Sequence, residues 1–259
     1  MNSSVVSIRE LHKSFPQNNG SQLQVLKDIN LDVEENCFVS LIGYSGCGKT
    51  TLLRMVCGFE KMDNGYVYID NKEYIKPTKN VLMLFQDFNQ LLPWRTVIEN
   101  IVFPLLATKI AKNRKEAKER AFAYLEEVGL SNFAKSFPHQ LSGGMKQRTT
   151  VARALALQPR VLLMDEPFAA LDDITRKSCQ ILTRRVCENH GITALIVTHS
   201  VKEAVIMSDK IVVMGTNPGH IIKIFDNENR QNQDENARTA ITSEIDELLN
   251  KNKPKKNDV

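Results

Sequence analysis

The chain has 259 residues, of which 42% are hydrophobic and 25% are charged, and its net charge is +4. These values are those of an ordinary globular protein with a sizeable core, and they fit one large domain or two small ones. Because the net charge is small and the basic residues are scattered, charge gives no support for a nucleic-acid-binding function.

Neither a membrane span nor a signal segment is expected. The longest strongly apolar stretches, such as ITALIVT at 192–198, are far shorter than the ~20 residues that cross a bilayer. The N-terminal sequence MNSSVVSIRE has no apolar signal segment. The five cysteines show no CxxC spacing and the histidines do not cluster, which argues against a zinc site or a disulfide framework. We therefore expect a soluble, cytoplasmic chain with reduced thiols.

Four short apolar runs each end in a glycine or a polar residue. They are nearly continuous in apolar residues, which is typical of strands buried on both faces of a parallel sheet. Ligands bind at the carboxyl ends of such strands, so the four ends are expected to form one site. A fifth run, KIVVMG at 210–215, is interpreted as purely structural. The four runs are CFVSLIG ending at Gly43, VLMLFQ ending at Gln86, VLLMDE ending at Asp165 and Glu166, and ITALIVTH ending at His199.

The first run leads into GYSGCGKT at residues 43–50, which matches the phosphate-loop pattern G-x-x-x-x-G-K-[ST]. The motif lies between a predicted strand and the predicted apolar helix KTTLLRMVCGF, which is the context that it requires. Backbone N–H groups of residues 45–51 are expected to wrap the phosphates of a nucleotide. Lys49 is expected to reach the β- and γ-phosphates, and Thr50 to ligate Mg²⁺.

A helical region is predicted between the second and third runs. The segment NQLLPWRTVIENIVFPL at 89–105 exposes Leu91, Leu92 and the only tryptophan, Trp94, around the helix-breaking Pro93. Residues 112–128 then predict an amphipathic helix with Gly129 as its C-cap. The residues on its apolar face are Ala117, Ala121, Tyr124, Leu125 and Val128.

LSGGMKQR at 141–148 is a second glycine turn before a predicted helix. Ser142 predicts the N-cap of that helix, while Gly143 and Gly144 allow close approach of another molecule to the backbone. Free N–H groups and the helix dipole favour an anion there. The capping and anion-binding interpretations are compatible.

Asp165 and Glu166 close a predicted strand and precede Pro167. Asp165 is expected to hold the Mg²⁺ shell, and Glu166 to polarise a water for attack on the γ-phosphate. The alternative is that both carboxylates stand at a helix N-terminus for electrostatic reasons alone.

The sequence changes character after Phe225. The stretch DNENRQNQDENA is too polar to bury a core and predicts a linker. ARTAITSEIDELLN then predicts a terminal helix that packs on the domain, and KNKPKKNDV a frayed end. The apolar residues of that helix are Ile241, Ile245, Leu248 and Leu249.

The order of GYSGCGKT, Gln86, LSGGMKQR, VLLMDE, AALD at 169–172 and His199 resembles the ATPase subunits of ATP-binding cassette (ABC) transporters along residues 5–225. The resemblance implies an α/β P-loop NTPase of RecA-like fold, whose mostly parallel sheet is joined by an N-terminal antiparallel β part and an inserted helical subdomain at about 88–158. It divides the chain into an ATPase domain at 1–225, a polar linker at 226–236, and a C-terminal helix and frayed tail at 237–259.

The same resemblance implies that two ATPase copies pack head to tail. The signature LSGG of one copy then completes the site for ATP held by Lys49 of the other copy. Gln86 would sense Mg²⁺ and the attacking water, His199 would contact the γ-phosphate, Asp172 would lie in a loop that crosses the dimer interface, and Phe15 would stack on adenine. The chain departs from many relatives at Met145, where they have glutamine. The implied nucleotide-binding residues are Phe15, Gly43, Tyr44, Ser45, Gly46, Cys47, Gly48, Lys49, Thr50, Thr51, Ser142, Gly143 and Gly144; the metal residues are Thr50, Gln86 and Asp165; and the catalytic residues are Glu166, His199 and Gln86.

Segment 89–105 resembles the family segment that receives a coupling helix from a membrane permease. A single ATPase unit without a span then resembles an importer subunit, peripheral on the cytoplasmic face of the membrane. Its partners would be permease subunits, a second copy of the chain and, indirectly, a solute-binding protein, with no nucleic acid. LLPWRTV, ALDDITR at 170–176 and NPGHI at 217–221 resemble the nitrate, sulfonate, taurine and bicarbonate importers.

Other interpretations of these residues remain open at the sequence level. Phe15 and Trp94 also fit core positions, and a histidine after a strand also fits a structural role. At the level of function, the alternatives are a non-transport ABC ATPase acting as a soluble switch, and a P-loop kinase. A kinase is disfavoured because the signature and His199 would have no role in it.

Overall fold

The computed structural model describes residues 4–18, 20–73, 76–86, 90–227 and 235–253. The chain divides into two compact units: unit 1 consists of Met1–Pro77 and Thr193–Val259, and unit 2 of Thr78–Ile192. Most of the predicted linker at 226–236, the end of the predicted tail and the first residue of segment 89–105 lie outside the described residues.

The described chain contains ten strands and seven α-helices, several of the strands pair in parallel, and the predicted α/β class is confirmed. The strands are β1 (Ser4–Pro16), β2 (Gln22–Glu34), β3 (Phe38–Ile42), β4 (Asn64–Ile69), β5 (Lys72–Glu73), β6 (Val81–Leu84), β7 (Val161–Asp165), β8 (Thr193–Val197), β9 (Lys210–Gly215) and β10 (His220–Asp226). The α-helices are α1 (Lys49–Val56), α2 (Val97–Ala107), α3 (Arg114–Glu127), α4 (Gly143–Leu155), α5 (Asp173–Asn189), α6 (Val201–Met207) and α7 (Glu235–Lys251).

Unit 1 begins with an antiparallel sheet in the strand order β2-β1-β4-β5. In β1, Val6 and Ile8 are buried while Ser7 between them donates to the Asp32 carboxylate at 2.7 Å. This alternation is expected of a sheet with one face on the core. The predicted N-terminal antiparallel part is confirmed.

A second group of paired strands in unit 1 is centred on β3. Strand β3 pairs in parallel with β8 and β9, and β10 pairs antiparallel with β9. Every residue of β3 and β8 is buried, as the continuous apolar runs predict. Leu41 lies opposite Val197 on one side and Val212 on the other. The carboxyl ends of β3 and β8 therefore meet at one edge.

Helix α1 is shorter than the apolar run predicts. The run extends to Phe59, but α1 ends at Val56 with Cys57 as its C-cap, and Gly58 has φ 75°. This left-handed conformation cannot continue a helix, and it is typical of the glycine just past a helix end.

Helix α7 packs on the β9 side of unit 1, as its apolar spacing predicts. Its Ile245 is fully buried in a cluster with Ile42, Val205 and Phe225. The other apolar residues of α7, which are partly buried, pack against the same cluster and are Ile241, Leu248 and Leu249. On the outer side, the Lys223 ammonium pairs with the Glu244 carboxylate at 2.5 Å.

Unit 2 contains the parallel pair β6 and β7 and the helices α2 to α5. Asn113 caps α3, and Gly129 follows its C-terminal end with φ 71°. The predicted apolar face of α3 is confirmed. Its members are all buried and are Ala117, Ala121, Tyr124, Leu125 and Val128.

The burial of Ile245 predicts that Ile245→Ala destabilises the chain. The substitution removes methyl and methylene groups from a closed cluster, so the free energy of unfolding should fall by about 2–5 kcal/mol, as measured by urea denaturation of the full chain. Ile181→Ala makes the same chemical change at a position on α5 that is 56% exposed, and should cost under about 0.5 kcal/mol. Equal losses in the two variants would contradict a structural role for α7.

Candidate nucleotide-binding site

The phosphate loop, residues 43–48, leaves β3 and leads into α1 in unit 1. Gly48 is the N-cap of α1 with φ 92°, a conformation that glycine adopts without strain. A helix presents N–H groups without intrahelical acceptors at this end, and its dipole favours negative charge there. The loop thus has the backbone geometry of an anion site.

Lys49 is buried against this same loop. Its ammonium group donates to the carbonyl oxygens of Gly43 at 2.7 Å and Tyr44 at 3.1 Å, and it contacts the Cys47 sulfur at 3.6 Å. The positive charge is therefore held beside the N–H groups that are predicted to bind phosphate, and both features favour an anion.

His199 follows the carboxyl end of β8 and is exposed. The turn around it is fixed on both sides. The Thr198 hydroxyl donates to the Glu203 carboxylate and accepts the Ser200 N–H at 3.0 Å, and the Ser200 hydroxyl accepts the Glu203 N–H at 3.3 Å as the N-cap of α6. Because β3 and β8 are parallel neighbours, His199 and Gly43 stand at the same sheet edge of unit 1.

Phe15 lies near the end of β1 and is half-buried, so part of its ring remains accessible. The Lys13 ammonium lies 4.7 Å from the ring centroid, a cation–π contact. Lys13 is itself paired with Glu60 at 2.8 Å and Asp63 at 3.6 Å. A cation that is itself held by two carboxylates therefore lies over one face of the ring.

In unit 2, the ends of β6 and β7 bring Gln86 and Glu166 together. Asp165 is the buried last residue of β7, and Glu166 follows it. The Gln86 side-chain amide donates to the Glu166 carboxylate at 3.4 Å. Strand β6 ends at Leu84 rather than Gln86, so Gln86 is exposed and sits in the chain that leaves the strand.

Glu166 has a left-handed backbone conformation, with φ 45°. For a residue with a side chain, such a conformation costs of order 1–3 kcal/mol and concentrates at functional sites. Pro167 and Phe168 follow it and are buried, which holds the turn in place. The strain at a carboxylate beside Gln86 supports a functional role for Glu166.

The signature LSGG lies at the start of α4 in unit 2. Ser142 is the N-cap of α4, as predicted, and its hydroxyl accepts the Met145 N–H at 3.3 Å. Gly144 has no room for a side chain, because a Cβ there would collide with the Thr175 methyl group of α5. Ser142 and Gly143 are exposed. The turn is therefore packed on α5 on one side and open on the other.

Asp172 caps α5 beside this turn, its carboxylate accepting the Thr175 N–H at 3.0 Å. That hydrogen bond favours the ionised form and lowers the pKa of Asp172 below its usual value. Asp172 therefore carries a negative charge and a fixed position in the loop between β7 and α5.

The residues 91–96, hereafter the tryptophan loop, connect the β6 side of unit 2 to α2. Trp94 at its tip is 70% exposed, and Phe103 on α2 is 45% exposed. The Arg95 guanidinium lies 4.4 Å from the Phe103 ring centroid, while Leu91 is buried. Trp94 is thus not a core residue of this unit, and the loop presents apolar surface.

Two residues of this region were not predicted from the sequence. Asn100 is buried in the first turns of α2, and the Arg153 guanidinium on α4 donates to the Gln90 carbonyl oxygen at 2.6 Å. Burial lowers the pKa of Arg153. The available signal for Asn100 was its spacing, three residues after Val97 and one before Ile101, which places it on the apolar face of α2.

Three further features of the described residues bear on the site. None of their helices is both long and apolar enough to cross a membrane. They contain no group of three or more His, Cys, Asp and Glu residues placed to hold a metal ion. All five cysteines are buried and form no disulfide, and burial raises the pKa of Cys57 to about 11 and that of Cys187 to about 12.

Comparison with known proteins places this geometry in a family. Residues 26–169 match the family model described as ABC transporter. An aliphatic sulfonates import ATP-binding protein SsuB of Bacillus thuringiensis is 42% identical over 86% of this chain and 86% of its own length. The nitrate import ATP-binding protein NrtC of Synechococcus elongatus is 38% identical over 85% of this chain, which spans about a third of that protein's length.

A solved structure supports the same family assignment. An ATP-binding cassette, determined as a dimer in a post-hydrolysis state bound to ADP and Pi, superposes with a TM-score of 0.75 at 32% identity. The match covers 86% of this chain and 99% of that one. The predicted resemblance and the P-loop NTPase fold are confirmed, and the chain belongs to the ABC transporter family.

Proposed function

We propose that the chain is the ATP-hydrolysing subunit of an ABC importer and works on a separate membrane permease. The main observation behind the proposal is that the chain has a second helix N-terminus suited to bind an anion, at Ser142 of α4. The chain already has a complete phosphate loop at the start of α1. A single nucleotide site needs one such loop. Two are accounted for when each copy of the chain supplies the signature to the other copy's nucleotide. The solved relative is a dimer bound to ADP and Pi, which supports a second copy.

ATP is bound first by the phosphate loop. The N–H groups at the start of α1 take the phosphate oxygens, and Lys49 exchanges its Gly43 and Tyr44 carbonyl partners for the β- and γ-phosphates. The exchange keeps the ammonium group paired throughout. Phe15 stacks on the adenine with the face of its ring that Lys13 leaves open. The other loop residues in this role are Ser45, Gly46, Cys47, Gly48, Thr50 and Thr51.

The residues assigned to a metal site fit Mg²⁺. Thr50 offers a hydroxyl oxygen, Asp165 a carboxylate and Gln86 an amide oxygen, which are the hard donors that Mg²⁺ prefers. A site with one carboxylate, completed by substrate phosphates, is the usual form for this ion. When bound, Mg²⁺ supplies charge neutralisation at the phosphates.

Hydrolysis is assigned to Glu166 as general base. Its carboxylate accepts a hydrogen bond from Gln86, which can orient the same water that Glu166 polarises. His199 donates to the γ-phosphate from the end of β8, where the Thr198–Glu203 hydrogen bond fixes the turn. Ser142, Gly143 and Gly144 of the second copy close the site on the far side of the γ-phosphate, and Asp172 lies at the interface between the copies.

The tryptophan loop is assigned to permease docking. Trp94 and Phe103 expose aromatic surface that a short apolar helix of a permease can cover. A groove of about 240 Å³ beside it is lined by residues that include Leu92, Phe103, Pro104 and Arg153. Docking there places the chain on the cytoplasmic face of the membrane, with a solute-binding protein as an indirect partner.

The solute is proposed to be a small anion or zwitterion of the nitrate, bicarbonate, sulfonate or taurine type. Support comes from the relatives named as nitrate, bicarbonate and aliphatic sulfonate import proteins, at 38–42% identity. The division of the chain into an ATPase domain at 1–225 with a helical subdomain at about 88–158, a linker at 226–236 and a terminal helix with its tail at 237–259 is part of the same proposal.

If Glu166 is the general base, Glu166→Gln should lower ATP turnover by roughly 10²-fold or more, because the amide cannot take a proton from the attacking water. Phosphate release at saturating ATP measures this, and ATP binding should persist. Glu126→Gln makes the same change at an exposed position of α3 and should leave turnover within twofold. Native turnover in Glu166→Gln would remove Glu166 from the mechanism.

Trp94→Ala tests the docking assignment. The tagged chain, extracted from its own cells in detergent with ATP, should capture a multi-spanning membrane protein, and Trp94→Ala should capture at least tenfold less of it, since central aromatic residues carry about 2 kcal/mol or more at interfaces. Phe122→Ala removes an aromatic that is 40% exposed on α3, and should capture native amounts. Reproducible capture of only a soluble partner would favour the switch function instead.

A further inference from the structure

The tryptophan loop belongs to no helix or strand. Between Leu91 and Thr96 the chain forms a turn in which the Arg95 N–H donates to the Leu92 carbonyl at 3.1 Å. One such bond is a weak constraint for a loop that holds a large aromatic side chain in solvent. The conformation therefore needs support from outside the turn.

A buried side chain of α2 supplies four hydrogen bonds of this kind. Asn100 is 0% exposed, and its amide nitrogen donates to the carbonyl oxygens of Leu92 at 3.2 Å, Arg95 at 3.1 Å and Thr96 at 3.0 Å. Its amide oxygen accepts the Leu92 N–H at 2.7 Å. Both backbone polar groups of Leu92 are thus paired with one residue of α2, and the same amide binds carbonyl groups that lie before and after Trp94 in the chain.

An asparagine side chain provides both the acceptor for the Leu92 N–H and the donors for the three carbonyl oxygens. Aspartate keeps the acceptor for the Leu92 N–H but has no donor, and would place a carboxylate against three carbonyl oxygens. Leucine has a similar volume and would remove the partner of the Leu92 N–H and of the Arg95 carbonyl, at a cost of about 1–3 kcal/mol for each buried group. The Leu92 and Thr96 carbonyls would keep only their bonds to the backbone N–H groups of Arg95 and Asn100. A buried asparagine in the apolar face of α2 is therefore explained by the loop.

The two ends of the loop are fixed independently. Leu91 is buried at its start, and at its end the Val97 N–H donates to the Ser136 carbonyl at 2.8 Å and the Ile98 N–H to the Ala134 carbonyl at 3.0 Å. The middle, which contains Trp94, depends on Asn100.

We propose that Asn100 is the positioning residue that holds Trp94 in a single, solvent-facing orientation, so that the docking surface exists before a partner arrives. The use of that surface by a permease rests on the proposed function. A preformed loop avoids the entropy of ordering about five residues on binding, and loss of preformation would appear as weaker association.

The native chain offers the first measurement. The Leu92 amide lies outside regular secondary structure, yet its bond to Asn100 should slow hydrogen exchange by about 10²-fold or more relative to an unstructured peptide. Exchange of Leu92 at the unstructured rate would overturn the proposal without any substitution, so the test does not depend on a variant that folds.

Trp94 also supplies a spectroscopic readout, because it is the only tryptophan of the chain. In Asn100→Asp and Asn100→Ser, the fast component of the tryptophan anisotropy decay should grow by about twofold, since the loop gains nanosecond motion. Anisotropy equal to that of the native chain in variants that fold would overturn the proposal.

Asn227 provides the matched control. It is also a buried asparagine, and its amide nitrogen donates to the carbonyl oxygens of Val205 and Ser208, both at 2.8 Å, in unit 1. Asn227→Asp and Asn227→Ser make the same chemical changes and should lower the melting temperature while leaving the Trp94 anisotropy native. A similar rise in anisotropy from the Asn227 variants would mean that general destabilisation, rather than positioning, moves Trp94.

Capture of the permease separates the two proposals. If the native chain captures a permease, the Asn100 variants should capture at least fivefold less, and native capture by a variant with a mobile Trp94 would overturn the preformation argument. If the native chain captures none, the proposed function fails, and the Leu92 exchange and Trp94 anisotropy still decide whether Asn100 positions the loop.

Discussion

The burial of β3 determines where the phosphate loop begins. The strand is paired on both edges, with β8 and β9, so a slip of one residue would break two ladders and turn its buried side chains to the opposite face. The Lys49 ammonium then ties the end of the strand to the start of α1 through the Gly43 carbonyl. The turn is therefore anchored to a buried strand that is paired on both edges. Its N–H groups do not have to be ordered when an anion binds, which is the condition for strong electrostatic stabilisation.

The N-caps of α1, α4 and α5 differ in how far they leave the helix N-terminus open to an anion. The Gly48 cap of α1 has no side chain, so the cap residue itself does not occupy a first-turn N–H group of α1. At α4 the Ser142 hydroxyl accepts one N–H, that of Met145, at the long distance of 3.3 Å. By contrast, Asp172 at α5 accepts at 3.0 Å and carries a charge that would repel an anion. Of these three termini, α1 and α4 suit phosphate, and they are the two that the glycine motifs mark.

Much of this arrangement could be predicted from the sequence because it depends on local periodicity and short-range capping. The buried runs, the apolar face of α3 and the Ser142 cap each need only neighbours within a few residues. The conformation of Glu166 and the role of Asn100 could not be predicted in this way. A positive φ at a glutamate results from packing of the turn after β7, and Asn100 matters because of carbonyl oxygens up to eight residues away that a periodicity argument does not see. The sequence shows that Asn100 is a polar residue on the apolar face of α2, but it does not show that Leu92 is its partner.

The contacts of unit 2 link the assigned catalytic carboxylate to the tryptophan loop. Gln86 donates to Glu166, and four residues later the Gln90 side chain donates back to the Phe85 carbonyl, next to Gln86, at 2.5 Å. The Gln90 carbonyl in turn accepts the buried Arg153 guanidinium. Two sites are coupled when both bias the position of one element. The chain around Gln86 and Gln90 touches Glu166 at one end and leads directly into the loop held by Asn100 at the other. On the proposed function, Gln86 lies beside the catalytic carboxylate, and Asn100 holds Leu92 beside the docking surface. The hydrogen bond from Gln90 to the Phe85 carbonyl is therefore a described contact between the two sites.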